Sequence, residues 1–418
     1  MLDLHDTFLG GPDVIVTSES GHYGGLLWQE QAEQMISDFA RDGHLQSPAA
    51  RAGPGPSVTP AAPRLFLYVA MQDAHAPLQA PQSFIDRCRY VCDAQRRSLC
   101  AQIALADEAT HNLTEALRQN MMWDDTILVF ANDNGGPVCN GRPRTDGGEC
   151  GADIGYAGSR NGGGGGGGGV ASNWPLRGSK HSVWEGGVRG NSFVAGGALH
   201  PVLAGTNYEG LMHLMDWHAA FVRLSSVAME SVPTLPSKTL DAIDLLDDIA
   251  TSARGAASDA HRHQKRSEAL LNLDGDLVAL VAEQQSSNGT ALGLWKIVRG
   301  ERDAGHTRLP TIHTVGCAGY TAGEQVGGRE ACAVLDGRRV CGLHLYCLRD
   351  CPPGVEDDSA EEHNLAAEPR WQAVVGDLMR RVEAIQQSGD TLAPESRGSG
   401  SSAAIAAAHE AGGWTPWL

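Results

Sequence analysis

Thr126–Gly136 reads Thr-Ile-Leu-Val-Phe-Ala-Asn-Asp-Asn-Gly-Gly, and this stretch decides the fold class. An apolar run of β-branched and aromatic residues that ends in polar residues predicts a buried strand. In open α/β sheets, ligands bind at the carboxyl ends of such strands. Asp133 and Asn134 place a carboxylate and an amide oxygen there, and Ca²⁺ prefers oxygen ligands of this kind. The alternative is a plain turn, because Asn and Gly tolerate positive φ.

A second block, Asn173–Gly190, reads Asn-Trp-Pro-Leu-Arg-Gly-Ser-Lys-His-Ser-Val-Trp-Glu-Gly-Gly-Val-Arg-Gly. Lys180 and Arg189 are cations that could lie near a bound anion, although an isolated lysine is more often simply solvated. We expect Glu185 and Arg189 to form an ion pair that holds the intervening glycine turn. We also expect the Trp174 indole to pack and so to pin the start of this block.

Residues 137–172 separate the two blocks and contain eight consecutive glycines, 162–169. Such a run has no side chains to bury and a large backbone entropy to lose, which predicts a disordered insertion. Residues 45–63 are rich in Pro, Ala, Gly and Ser and predict a second flexible insertion.

Hydrophobic periodicity predicts helices over 20–43 and 98–122, with a strand over 64–70 that is buried on both faces. His75 follows this strand. Strand, helix and strand in that order predict a parallel crossover, and hence an α/β fold with a large, mostly parallel mixed sheet flanked by helices.

The C-terminal part predicts a smaller α+β domain. Short strands are expected at 294–298 and 343–346, and an apolar stripe that ends at Ile385 predicts a last helix. The predicted division is a large first domain over 1–285, a smaller domain over 286–387 and a loose tail over 388–418.

The composition excludes some classes of partner. A net charge of −18 over 418 residues argues against nucleic acid and against an anionic membrane surface. No stretch is long and apolar enough to span a membrane. Two sequons, at Asn112 and Asn288, are candidate glycosylation sites.

Ten cysteines, clustered in loops, favour disulfides and an oxidising compartment, with the pairing left open. Zinc binding by the pairs Cys88/Cys92 and Cys347/Cys351 is the competing interpretation. The first residues do not read as a signal peptide. Disulfide-like cysteines without such a peptide lead us to expect that the beginning of the protein is missing from this chain.

The ordered set of motifs resembles the sulfatase family, and within it the arylsulfatase B-like branch. The matching residues are Leu65–Ala70, His75–Leu78, Asp107–Ala109, Thr126–Gly136, Asn173–Gly178, Lys180 and Trp184–Gly190. Glu361–Leu365 also resembles the polar turn that precedes the last helix of the family.

The resemblance implies a sulfuric ester hydrolase that acts on sulfated carbohydrates or aryl sulfates. It implies that Asp133 and Asn134 ligate one Ca²⁺ ion. It also implies two catalytic, substrate-binding residues: Lys180, which contacts the substrate sulfate and the nucleophile, and His75, which contacts the sulfate or the leaving-group side. On its own, His75 is more often a packed histidine. The family nucleophile is a formylglycine, so the formylglycine-generating enzyme is an implied partner, and a secreted or lysosomal location is implied as well.

The formylglycine motif, Cys-x-Pro-x-Arg, does not occur in this sequence, and Cys351-Pro352-Pro353 is the nearest match. We therefore expect the chain as it stands to be inactive. Two alternatives remain open: a catalytically inactive sulfoglycan-binding paralogue, and a phosphate-ester metallohydrolase of the alkaline phosphatase superfamily. The Trp-Glu-Gly-Gly-Val-Arg-Gly block argues against the second.

Overall fold

The computed structural model describes residues 5–6, 14–15, 21–45, 64–75, 77–91, 94–137, 171–180, 182–225, 241–252, 265–274, 277–286, 289–300, 306–308, 324–326, 332–335 and 338–388. The glycine run, most of both predicted insertions and the C-terminal tail lie outside these residues, as does Asn288.

The helices are α1 (Gly24–Leu45), α2 (Gln82–Arg87), α3 (Ala94–Gln119), α4 (Glu185–Val188), α5 (Asp216–Ser225), α6 (Leu246–Ser252) and α7 (Gln372–Ser388). The strands are β1 (His5–Asp6), β2 (Val14–Ile15), β3 (Leu128–Ala131), β4 (Ser192–Ala195), β5 (Glu268–Asp274), β6 (Leu277–Gln285), β7 (Ala291–Arg299), β8 (His306–Arg308), β9 (Glu324–Val326), β10 (Cys332–Leu335), β11 (Arg338–Cys341) and β12 (Leu343–Arg349).

A helical layer forms from α1, α2 and α3 and confirms the helices predicted near residues 20 and 98. Phe84 and Cys88 of this layer pack on Ala101 and Leu105 of α3. A disulfide between Cys88 and Cys100 ties the end of α2 to α3. This bridge closes a short loop, which restricts the unfolded chain and stabilises the layer.

Residues 64–70 are extended but belong to no strand. Phe66 and Tyr68 are 68% and 81% exposed, whereas Leu65, Leu67 and Val69 are partly buried. The prediction of a strand buried on both faces is therefore wrong, because the described residues cover only one side of this segment. Phe66 contacts Phe221 of α5, with ring centroids 5.3 Å apart.

The strand predicted at Ile127 is present as β3, and it pairs with β4 in antiparallel register. The register places Leu128 opposite Ala195 and Ala131 opposite Ser192. Asn132 N donates to Asn191 O at 2.9 Å, so the ladder continues one residue past β3. This pairing joins the end of the first sequence block to the end of the second.

The C-terminal part contains a four-stranded antiparallel sheet in the order β12–β7–β6–β5. One face packs on α7 through residues that include Trp295, Leu345 and Leu378. The other face packs on Val183 and Trp184 of the second sequence block. Burial on both faces explains the near-continuous apolar runs of β6, β7 and β12.

The sheet takes strands from both sides of residue 285, where the sequence predicts a domain boundary. The division into domains stays a prediction. All strand pairs in the described ranges are antiparallel, so these ranges do not contain the predicted parallel crossover. Among the helices that the structure describes, none has the length and apolarity required to cross a bilayer.

Candidate functional site

The turn after β3 carries the predicted metal ligands. Strand β3 ends at Ala131, and Asp133 and Asn134 follow it after one intervening residue, Asn132, as the strand prediction requires. The Asp133 carboxylate is exposed, and its Oδ1 accepts a hydrogen bond from the Asn134 backbone N–H at 2.8 Å. Asn134 Nδ2 donates to Gly135 O at 2.8 Å, which orients the amide group of the side chain. The turn thus presents a carboxylate and an oriented amide.

Asn173 fastens the second block to this turn. Its Oδ1 accepts from Gly136 N at 2.9 Å, and its Nδ2 donates to Gly136 O at 2.8 Å and to Gly178 O at 3.1 Å. Trp174 is 57% exposed, so the prediction that its indole pins this segment is wrong. The pin is polar, because a side-chain amide satisfies both backbone groups of Gly136 at once.

Lys180 lies beside the same turn. Its backbone N–H donates to Gly136 O at 3.2 Å. A serine turn supports this position, since Ser182 Oγ donates to Ser179 O at 2.7 Å and accepts from Ser179 N at 3.2 Å. The backbone of Lys180 therefore contacts Gly136, which is two positions after Asn134, although the long insertion separates the two segments in sequence.

Glycines let the two blocks approach closely. Gly135 N donates to Gly187 O at 2.9 Å, and a Cβ built on Gly135 would overlap the carbonyl oxygen of Gly186. Gly186 N in turn donates to Arg177 O at 2.6 Å. A side chain at Gly135 would push α4 away from the turn, and one at Gly186 would collide with the carbonyl oxygens of Arg177 and Gly178, which is the physical reason for glycine at both positions.

Arg177 anchors the second block from inside. Its side chain is buried, and its guanidinium carbon lies 4.0 Å from the centroid of the Trp184 ring. Its Nη1 donates to the Tyr346 hydroxyl at 2.9 Å and to Glu361 O at 3.1 Å. Trp184 itself is fully buried against Tyr346 and His344 of β12. These residues hold the block on the C-terminal sheet.

Glu185 belongs to a buried cluster of charges. Lys296 Nζ lies 2.8 Å from Glu185 Oε1 and 2.8 Å from Glu361 Oε1. The predicted ion pair between Glu185 and Arg189 is replaced by this one, because Glu185 points into the core and Arg189 is exposed. The sequence signal that could have revealed the cluster is Lys296 itself, an ionisable residue inside an apolar strand.

Burial and charge oppose each other in this cluster. Burial lowers the pKa of Lys296, but the attraction of Glu185 and Glu361 outweighs it and raises that pKa above its ordinary value. Burial is also the largest influence on Glu361 and raises its pKa to about 7 despite the attraction of Lys296. One positive charge therefore faces two carboxylates in this cluster.

His75 lies after the extended segment 64–70 and is exposed. Gln102 of α3 fixes its backbone, since Gln102 Nε2 donates to His75 O at 3.0 Å and to Pro77 O at 3.3 Å. Nearby, Tyr23 donates to Asp73 Oδ1 at 2.7 Å, and burial raises the pKa of Asp73. A role for His75 beside Lys180 remains a prediction.

The donors at the β3 turn match Ca²⁺ in kind but not in number. Asp133 and Asn134 offer oxygen atoms, whereas Ca²⁺ takes about six to eight. Within the part of the chain that the structure describes, no group of three or more His, Cys, Asp or Glu side chains could hold a metal ion. The described residues therefore account for part of a calcium shell only.

The cysteine geometry decides one competing interpretation. Cys347 and Cys351 form a disulfide, which agrees with the favoured interpretation and excludes the competing one, a zinc site at this pair. Cys88 is bonded to Cys100, which removes it from the other candidate pair. Its predicted zinc partner, Cys92, lies outside the described residues, as do Cys139, Cys150 and Cys317.

Known proteins are similar to this chain in sequence and in fold. A sulfatase family model matches residues 59–227. Arylsulfatase J of Mus musculus is 33% identical over 195 residues, which are 47% of this chain and 27% of the mouse protein. The chain thus spans about a quarter of the length of this relative.

Two solved structures share the fold: the crystal structure of Ps i-CgsB, and that of Ps i-CgsB in complex with k-i-k-neocarrahexaose. Their TM-scores are 0.54 and 0.53, each with 17% identity over 92% of this chain and 58% of the other. They confirm the predicted α/β fold class. Residues 59–227, which include the β3 turn, Lys180 and α4, are thus similar in sequence to the sulfatase family.

Proposed function

We propose that this chain takes part in the hydrolysis of sulfate esters, with sulfated carbohydrates as the substrate class, as in the arylsulfatase B-like branch. The observation that carries the proposal is the contact between the two sequence blocks. Lys180 N donates to Gly136 O at 3.2 Å, so a lysine backbone adjoins the turn of Asp133 and Asn134. A cation and two oxygen ligands at one strand end suit a bound divalent cation with a sulfate group.

In this proposal Lys180 binds the substrate sulfate, and His75 contacts the sulfate or the leaving-group side. Asp133 and Asn134 would contribute two ligands to one Ca²⁺ ion. The ion would neutralise developing negative charge, while a formylglycine, made by the formylglycine-generating enzyme, would be the nucleophile. Because this sequence has no Cys-x-Pro-x-Arg, the formylglycine must come from residues other than 1–418.

We also propose a secretory-pathway location, either secreted or lysosomal. Two disulfides, Cys88–Cys100 and Cys347–Cys351, support an oxidising compartment. Of the two candidate glycosylation sites, Asn112 lies within α3 and is partly buried. Asn288 lies outside the described residues.

Substrate binding is the first test. Isothermal titration of residues 1–418 with a 4-sulfated N-acetylgalactosamine disaccharide, in Ca²⁺, should show binding that its unsulfated counterpart lacks. Lys180→Ala should weaken the binding at least tenfold. Lys265→Ala is the matched control, since Lys265 is an exposed lysine paired with Glu283 on the C-terminal sheet. Equal binding by the wild type and Lys180→Ala would refute the role of Lys180.

Turnover separates the three functional alternatives. Residues 1–418 should release neither sulfate nor phosphate from nitrophenyl esters, because the formylglycine motif is absent. A chimera in which a segment with the Cys-x-Pro-x-Arg motif of the sulfatase family precedes residue 21 should release sulfate when the formylglycine-generating enzyme is co-expressed. Phosphate release in its place would favour the phosphate-ester hydrolase. Binding without turnover in the chimera would favour the sulfoglycan-binding paralogue.

A further inference from the structure

Three charged side chains meet in the core where the second sequence block touches the C-terminal sheet. Lys296 of β7 and Glu361, in the loop after β12, are both 0% exposed, and Glu185 of α4 is 7% exposed. Besides its two contacts with Lys296, the cluster contains a hydrogen bond from Glu185 N to Glu361 Oε2 at 2.7 Å. One carboxylate thus caps the first residue of α4 while the other ties α4 to the sheet.

The cluster is expensive to assemble, because each charge loses its hydration and recovers that loss only through close, well-aligned partners. A simple packing role would be served by apolar residues of the same size. The charged groups have a geometric effect that apolar residues lack, because their hydrogen bonds are directional and short. These bonds fix how α4 and the loop that contains Glu361 are oriented and spaced relative to β7.

Helix α4 contacts the candidate site directly, so its position affects the geometry of the site. Gly135 N donates to the carbonyl oxygen of Gly187, and Gly186 leaves no room for a Cβ on Gly135. Asp133 and Asn134 precede Gly135 in the same turn. A shift of α4 therefore either breaks the hydrogen bond of Gly135 or moves the two candidate metal ligands with it.

We propose that Glu361 and Lys296 are positioning residues for the candidate site: they place α4 against the sheet and, through Gly187 and Gly135, set the geometry of the Asp133–Asn134 turn. The use of this geometry for sulfate-ester chemistry rests on the proposed function. The geometry itself does not, because it can be measured without substrate.

Hydrogen exchange of residues 1–418, followed by mass spectrometry of peptides that cover 132–137 and 182–190, tests the proposal. Glu361→Ala should raise exchange in both peptides at least tenfold, because α4 loses its cap and Lys296 loses one partner. Glu361→Gln should restore the protection, since its amide oxygen still accepts from Glu185 N and Lys296 still pairs with Glu185. Rescue by the isosteric side chain distinguishes positioning from mere filling of space.

The matched control is a second buried ion pair among the described residues, Arg266 with Asp216, which are 5% and 1% exposed. Asp216→Ala should lower the melting temperature as much as Glu361→Ala does, yet leave exchange in peptide 132–137 within twofold of wild type. If Glu361→Ala fails to fold, Glu361→Asp replaces it, because the shorter carboxylate keeps its charge but cannot reach both partners. Glu361→Asp should then raise exchange in both peptides at least threefold.

The proposal would be overturned if peptide 132–137 of Glu361→Ala were as protected from exchange as in the wild type. The same holds for Glu361→Asp where it is used instead. An equal loss of protection in Asp216→Ala would also overturn it. A chain that shows the predicted exchange but binds no sulfated disaccharide would keep the positioning role and refute the proposed function. If the wild type binds the disaccharide but the Glu361 variant shows no change in exchange, the proposed function stands and the positioning role is refuted.

Discussion

Lys296 is a fully buried lysine in the middle of an apolar strand, and its charge is balanced by residues far away in sequence. A sequence pattern can mark such a residue as unusual, since lysine is rarely buried without partners. It cannot name the partners, because Glu185 and Glu361 reach Lys296 only after α4 and the loop after β12 have packed on the sheet.

The raised pKa of Glu361 predicts a pH-dependent stability. The pKa of Glu361 is about 7 in the folded protein, compared with an ordinary value of 4.5. At a pH between these two values, Glu361 therefore takes up a proton when the protein folds. Stability from this group is therefore fully present below about pH 4.5 and is lost as the pH rises through about 7. The melting temperature of wild type minus that of Glu361→Gln should fall as the pH rises from 5 to 8.

The expected size is a few degrees, since about 1 kcal/mol moves the melting temperature of a large domain by roughly 2–4 °C. The charged groups that face Glu361 are Lys296, Glu185 and Arg177. Asp216→Asn, measured over the same pH range, controls for the titration of other groups. A difference between wild type and Glu361→Gln that is constant with pH would contradict the prediction.

Asn173 gives a second prediction at the residue scale. Asn173→Ala should destabilise the protein by about 1–3 kcal/mol, because it leaves both backbone groups of Gly136 without their partner. Trp174→Ala, at the adjacent exposed position, should change the stability by less than about 0.5 kcal/mol. Urea denaturation of the two variants compares them directly. A larger effect at Trp174 would restore the hydrophobic pin that the sequence suggests.

At the scale of elements, the two glycine-containing segments fit together backbone to backbone. Gly135→Ala should destabilise the protein by about 1–3 kcal/mol, because its Cβ overlaps the Gly186 carbonyl oxygen and neither backbone can yield cheaply. It should also weaken binding of the sulfated disaccharide. Thermal melts and titration calorimetry measure the two effects.

Gly376→Ala is the control for that substitution. Gly376 lies within α7, and a Cβ there would meet only Arg380 Nη1 at 3.6 Å. Alanine should therefore stabilise α7 by about 0.5–1 kcal/mol. If Gly135→Ala were equally harmless, the close approach of α4 to the turn would be wrong.

Helix α3 shows why element positions are easier to predict than their faces. Two large apolar residues within the predicted helix 98–122 are exposed: Ile103 of α3, at 54%, and Met121, two residues past the end of α3, at 82%. The buried residues of α3 are Ala101, Gln102, Leu105, Ala109 and Leu117. Small residues on the buried face allow α1 and α3 to approach closely, and pairwise packing of this kind is invisible in one helix alone.

At the scale of the whole molecule, the C-terminal sheet serves two partners, α7 on one face and Trp184 with Val183 on the other. Leu378→Ala in α7 should cost about 2–5 kcal/mol, since Leu378 is fully buried. Because the sheet is shared, unfolding monitored by far-UV circular dichroism and by tryptophan fluorescence should remain one coincident transition.

Ile103→Ala, at an exposed position of α3, should cost less than about 0.5 kcal/mol and serves as the control. Two separated transitions in the wild type would show that the sheet and the second sequence block do not unfold together. That result would also weaken the connection from Lys296 to the candidate site.

The sequence by itself determined the α/β class, the helices α1, α3 and α7, the strand β3 and the chemical character of Asp133, Asn134 and Lys180. These follow from local periodicity, from turn residues and from motif order, which are properties of neighbours along the chain. Only the tertiary structure decided that 64–70 is covered on one side, that Asn173 replaces Trp174 as the pin, and that Glu185 pairs with Lys296. Each depends on contacts between residues distant in sequence, whose energy exists only once the chain has packed.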